Sequence, residues 1–213
     1  MLWNDHSKYE GKHSLLSPSK YHWLYDTAES FEERYCTSFA AEMGTTLHDI
    51  ARKHIKHGFR LSKNDKKSVM LELIDAGIPK RITNYVDYDL IFDTLMSYTN
   101  DGILYKMKPE VLLMYNEDCF GTCDSISFDE NKGELRIHDL KTGKQIAKME
   151  QLYVYAALFF LDYKVYKPYE TKTILRIYQN GLVNEELTDP SLINNTINII
   201  KSRSQSINDI KKE

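Results

Sequence analysis

Glu134-Leu135-Arg136-Ile137-His138-Asp139-Leu140-Lys141 is the stretch on which the reading of this chain turns. In a β-strand alternate residues share a face, so Leu135, Ile137, Asp139 and Lys141 point the same way. Two core residues are thus followed, on the buried side, by a carboxylate and an amine. A solvated strand would carry its charge opposite the apolar face. An acid and a lysine on a buried face need a compensating partner, because unpaired buried charge is costly. A divalent cation would supply one.

The stretch just upstream has the same form. Gly121 to Phe128 reads as a strand in which Thr122, Asp124, Ile126 and Phe128 share a face. Asp129-Glu130-Asn131-Lys132-Gly133 is a turn joining the two strands as a hairpin. In simple antiparallel register the paired residue numbers sum to about 263, which sets Asp124 across from Asp139. Two neighbouring carboxylates repel unless they are protonated or bridged by a cation. Hard oxygen donors with an incomplete shell suit Mg²⁺ or Mn²⁺ better than Zn²⁺. From this geometry alone, an Asp–Lys salt bridge on a solvated hairpin accounts for the residues equally well.

Working outward, Ser17-Pro18-Ser19-Lys20 opens a helix, with Ser17 as N-cap and Pro18 in the first helical position. Apolar spacing predicts helices over Ala40 to His57, ended by Gly58, and over Asp65 to Ala76, stopped by Gly77 and Pro79. Another is expected over Asn84 to Tyr98, stopped by Asn100-Asp101-Gly102. Glu110 to Tyr115 begins the β-rich region. Beyond Lys141 come a helix over Ala147 to Leu161, a strand over Thr173 to Tyr178 and a last helix over Ser191 to Ile200. Residues 201–213 are expected to form a charged, flexible tail. The order predicts one α/β domain over residues 1–213, with a small mixed central β-sheet flanked by helices and a motif-bearing core over residues 16–160.

Composition narrows the function classes. The 213 residues are 42% hydrophobic and 28% charged, with a net charge of −3, which excludes a disordered chain. No run approaches the roughly 20 apolar residues of a membrane span. Met1-Leu2-Trp3-Asn4-Asp5 lacks the basic-then-apolar layout of a signal peptide, so a cytoplasmic setting is expected. Three cysteines, Cys36, Cys119 and Cys123, without CxxC spacing argue against a disulfide framework. The slightly acidic balance leaves any DNA affinity to local patches and bound metal.

Two helical pairs add to the carboxylates. Gly44 and His48 lie one turn apart, where a glycine lets another backbone come close and a histidine can ligate a metal; an ordinary core or surface histidine reads the same way. Gln151 and Tyr155, also one turn apart, could bond a phosphate or orient catalytic groups, or be an incidental polar pair.

Gly44-x-x-x-His48, Gly121-Thr-x-Asp124, Asp139-Leu-Lys141 and Gln151-x-x-x-Tyr155 together resemble, in order and type, the RecB-like exonuclease branch of the PD-(D/E)xK nuclease superfamily. Phe120-Gly-Thr-Cys-Asp-Ser-Ile and Ile137-His-Asp-Leu-Lys-Thr-Gly-Lys144 look like phage-type exonucleases related to the lambda exonuclease. Leu16-Ser17-Pro18-Ser19-Lys20 resembles the short N-terminal signature of RecB-like domains, placing Ser17 and Ser19 at the substrate. The resemblance implies a restriction-endonuclease-like core and a Mg²⁺- or Mn²⁺-dependent DNA exonuclease acting in recombination, repair or phage DNA processing. It implies Asp124, Asp139, His48 and the Leu140 carbonyl as metal ligands, Lys141 beside the attacked phosphate, and Gln151 and Tyr155 at the substrate. Glu110 resembles an additional acid of lambda-type members, with Glu117 and Asp118 as nearby competitors.

The iron–sulfur cluster of some RecB-like nucleases is not expected, since no cysteine follows Cys123. Without a Gly-x-x-x-x-Gly-Lys motif, a helicase, like a single-strand annealing partner, would be a separate chain. Lambda-type members form ring-shaped trimers, which admits a homo-oligomer. Arg52, Lys53, His54, Lys56 and His57 form a basic helix face that suits DNA phosphates or plain solvent. Tyr21, Trp23 and Tyr25 are read as core rather than as a base-stacking platform. The alternatives are a single-strand-specific or endonucleolytic enzyme of the same type and, in a different class, a non-catalytic DNA-binding or assembly protein that keeps the fold. A phage-encoded member would work in the host cytoplasm.

Overall fold

The structure, a computed structural model, describes residues 4–12, 14–143 and 145–212. Met1–Trp3, Lys144 and Glu213, which entered the readings of the N-terminus, of the stretch after Asp139 and of the tail, lie outside them. Six α-helices of the described residues are α1 (Ala28–Thr37), α2 (Ala40–His57), α3 (Lys66–Asp75), α4 (Tyr88–Leu104), α5 (Glu150–Asp162) and α6 (Pro190–Ile210). The strands are β1 (Lys108–Asn116), β2 (Cys119–Asp129), β3 (Glu134–Lys141), β4 (Lys172–Gln179) and β5 (Leu182–Leu187).

The strands form one sheet in the order β1-β2-β3-β4-β5. β3 and β4 run parallel and the other neighbours antiparallel, so the sheet is mixed. A parallel pair needs a long crossover, which is where α5 sits. Helices cover both faces. On one, Leu135, Ile137 and Leu175 pack with Leu152, Ala156 and Phe159 of α5 and Ile193 of α6. On the other, Leu140 and Tyr178 pack with Leu47 of α2, Leu73 of α3 and Phe92 of α4. β3 is therefore buried on both sides: His138 and Leu140 are as inaccessible as Leu135 and Ile137.

Several elements differ from the sequence reading. The stretch after Ser17 is a 3₁₀ segment, Pro18–Tyr25, and the Ser17 side chain does not cap it. Its aromatics are not core, since Tyr21 and Tyr25 are exposed. α1 was not anticipated, although Thr27 caps it by accepting from Ser30 N at 3.1 Å. α4 runs straight through Asn100-Asp101-Gly102. Tertiary contacts override these breakers: the Asn100 amide brackets Leu61 N and O at 2.9 and 2.8 Å, and Gly102 lies against Ile55 of α2. β5 was missed because its six residues carry no alternation of buried and exposed positions. α6 extends ten residues beyond Ile200 to Ile210, through the stretch expected to be a flexible tail; Lys211 then pairs with Glu117 and Asp118.

Candidate active site

The β2–β3 hairpin has the register expected, with Asp129 across from Glu134 and Ser125 across from His138. Regular pairing ends there, one step before Asp124 and Asp139. The simple alternation expected along β2 also slips at this point. Cys123 and Ile126 both enter the core on the α5 side, while Ser125 Oγ accepts from Tyr98 of α4 at 3.0 Å. Thr122, expected on the buried face, is exposed. On β1 the residue between the pairs flanking Asp124 is Glu110, which adopts φ +51°. A local break of this kind re-aims side chains where a ladder opens.

The opened ladder is filled by the two aspartates. Leu140 N donates to Asp124 Oδ2 at 2.9 Å, replacing the next rung. His48 Nδ1 of α2 lies 3.5 Å from the same oxygen. Asp139 is only 1% exposed. Lys141 Nζ donates to its Oδ1 at 3.1 Å and, on the other side, to Gln151 Oε1 of α5 at 2.9 Å. Burial first, and then the charge of Asp124, hold the Asp139 carboxyl well above the usual carboxylate range; Lys141 pulls it partly back. Asp139 Oδ2 is 3.0 Å from Lys141 Nζ but makes no directed hydrogen bond among the described residues. A buried carboxylate beside a second carboxylate, with one lysine near it, is the kind of group a hard cation satisfies.

Tyr155 of α5 donates to Thr122 O at 2.7 Å, and a Cβ at Gly121 would lie 3.2 Å from its ring. Gly121 is thus the gap that lets Tyr155 lie against β2. Gly44 has the same role on α2: a Cβ there would meet Thr142 Oγ1 at 3.0 Å. The close neighbour is a side chain rather than the backbone anticipated. Between α2 and the end of β3 opens a cleft of about 560 Å³, lined by Gly44, Thr45, His48, Asp49, Glu110 and Thr142.

The remaining candidates divide. Glu110 lies in the cleft, but Arg52 of α2 holds it at 3.1 Å while binding Asp49 at 2.8 Å. Arg52, read only as one member of a basic face, is therefore the residue beside the cleft that sequence reasoning undervalued. Helical spacing gave a signal, since Arg52 is one turn beyond His48. Glu117 and Asp118, the competitors of Glu110, bind Lys211 instead. Ser17 and Ser19 bond each other at 2.8 Å, and no hydrogen bond among the described residues ties them to the cleft. Nor do three His, Cys, Asp or Glu side chains among the described residues converge closely enough to hold an ion alone. A cation at Asp124 and Asp139 would draw further ligands from backbone and water. Cys36, Cys119 and Cys123 are free thiols.

A family model described as a protein of unknown function, DUF2800, matches residues 13–187. The chain belongs to the DUF2800 family. The matched span carries all five strands and every residue placed in the cleft above, while α6 begins just beyond it. Neither the curated proteins nor the solved structures gave a match to this DUF2800 chain. No described helix is long and apolar enough to cross a membrane.

Proposed function

We propose that this protein is a metal-dependent DNA nuclease of the PD-(D/E)xK type, in the RecB-like, lambda-exonuclease-like branch, hydrolysing phosphodiester bonds at DNA ends. One observation carries the reading: Asp124, Asp139 and Lys141 meet where the β2–β3 ladder opens, with Gln151 holding the lysine and His48 beside Asp124. The restriction-endonuclease-like core, DNA as partner and a cytoplasmic setting belong to the same reading.

Asp124 and Asp139 would hold Mg²⁺ or Mn²⁺, with the Leu140 carbonyl and His48 as further ligands. Such an ion lowers the pKa of bound water and offsets charge on the phosphoryl oxygens. The chain's own groups complete the chemistry. Lys141, fixed between Asp139 and Gln151, presents a cation where negative charge develops during in-line attack. Tyr155 ties α5 to β2 through Thr122, two residues before Asp124. Arg52, already bound by two carboxylates, would turn to a phosphate entering the cleft.

Incubation of linear duplex, closed circular and single-stranded DNA with Mg²⁺ tests the reading. Linear duplex should be shortened from its ends and the circle spared. Asp124→Asn and Lys141→Met should each slow cleavage by roughly 10²-fold or more, as loss of a group acting on developing charge does. Cleavage of the circle or of single strands alone would select the endonucleolytic or single-strand-specific form. If all three substrates survive, the chain is a DNA-binding or assembly protein on this fold; cleavage by Asp124→Asn at the wild-type rate would reject the site proposed.

A further inference from the structure

A second cavity, of about 370 Å³, lies on the α5 side of the sheet at the far end of the β1–β2 pair. Phe128 in its wall is four residues along β2 from Asp124, roughly 13 Å at the rise of a strand. The cavity is therefore separate from the carboxylate site. Its volume falls within the range of small-molecule sites, which are mostly apolar with a few convergent polar groups.

Three chemistries meet there. The floor is apolar, with Leu113, Ile126 and Phe159 all buried. Phe128 and Tyr166 pack on each other in its wall, ring centroids 4.3 Å apart and tilted by 56°, so a planar ring entering the cavity meets an aromatic wall. At the rim are Lys106 and Lys108, both exposed, and neither takes part in an ion pair among the described residues. Glu130 lies opposite, one oxygen accepting from Tyr166 Oη at 2.8 Å, which leaves carboxylate capacity for an amino or hydroxyl donor.

Lys106 carries the strongest signal. It is the second residue past α4, following the C-cap Tyr105, and adopts φ +52°. Met107 N donates to Gly102 O at 2.8 Å and Lys106 N to Ile103 O at 3.1 Å, the paired bonds of a Schellman cap. That position is usually glycine, because a Cβ is strained there. A lysine at a left-handed position that favours glycine, at an aromatic cavity, argues for a use of its charge.

We propose that this cavity binds a nucleoside phosphate: the base on the apolar floor against the aromatic wall, the phosphate at Lys106 and Lys108, and a ribose hydroxyl or ring amino group at Glu130. The inference does not depend on the nuclease reading, since none of these residues belongs to the cleft.

Calorimetric titration of the full chain, without divalent metal, would use adenosine, inorganic phosphate, adenosine monophosphate and a DNA trinucleotide. The monophosphate should bind more tightly than adenosine or phosphate alone. Lys106→Gly should weaken it about tenfold, the worth of one charge-assisted contact, while adenosine binding is unchanged and the melting temperature holds or rises. A purely structural lysine could not give that combination. If the trinucleotide binds with the same Lys106 dependence and the monophosphate does not, the nucleoside phosphate comes from a strand end rather than from a free nucleotide. Failure of both ligands to bind wild type, or equal binding by Lys106→Gly, overturns the proposal whatever the outcome of the cleavage assay.

Discussion

Glu134 accepts from Arg136 Nε at 2.7 Å and from Lys172 Nζ at 2.9 Å, so one carboxylate ties β3 to its parallel neighbour β4. Lys172 first, and then Arg136, hold its pKa below the usual glutamate value of 4.5 against the opposing effect of burial. A carboxyl depressed in the folded state stabilises above its unfolded pKa, and that stability is lost as pH falls through the folded value. Wild type should therefore have a steeper acid limb below pH 4.5 than Glu134→Gln, by up to about 1.4 kcal/mol per pH unit for one proton. Urea unfolding across that range measures it, and parallel limbs would reject the assignment. Asp139 is perturbed the other way and shows the limit of sequence at this scale. Strand alternation put Asp139 and Lys141 together, but it could not foresee that Asp139 would be almost wholly buried. That depends on how α2 and α5 close over the strand ends.

Elements were legible where their signals were local. α2 ends at Gly58, whose φ of +72° is the left-handed cap its position suggested. α4 was truncated in the sequence reading because Asn100-Asp101-Gly102 is a breaker by local rules, yet the helix persists because tertiary contacts use those residues. A Cβ at Gly102 would come within 2.6 Å of Ile55 Cδ1. Gly102→Ala should destabilise by about 1 kcal/mol, overpacking against Ile55 outweighing the better helix propensity of alanine. In an Ile55→Ala background the same change should be neutral or stabilising. A double-mutant cycle read by chemical denaturation decides it, and additive effects would mean that contact with Ile55 does not explain the glycine.

At the scale of the whole molecule, the sheet divides two packed layers, with Leu135 facing α5 and Leu140 facing α2 and α4. Both side chains are almost wholly buried, so Leu135→Ala and Leu140→Ala should each cost about 2–5 kcal/mol. Because one strand carries both, each substitution should shift a single transition seen alike by far-UV circular dichroism and tyrosine fluorescence. Separate transitions would mean that the α2–α3–α4 layer unfolds on its own. By itself the sequence determined the hairpin register, the main helices and the order of the candidate motifs, since these follow from side-chain period, turn residues and spacing. Only the tertiary structure decided that both faces of β3 are covered, that α4 and α6 run on, and that Arg52 holds Glu110. It also decided which acids share a site with Lys141. Contacts between residues far apart in the chain depend on how helices pack across the sheet, and packing leaves no local period in the sequence to read.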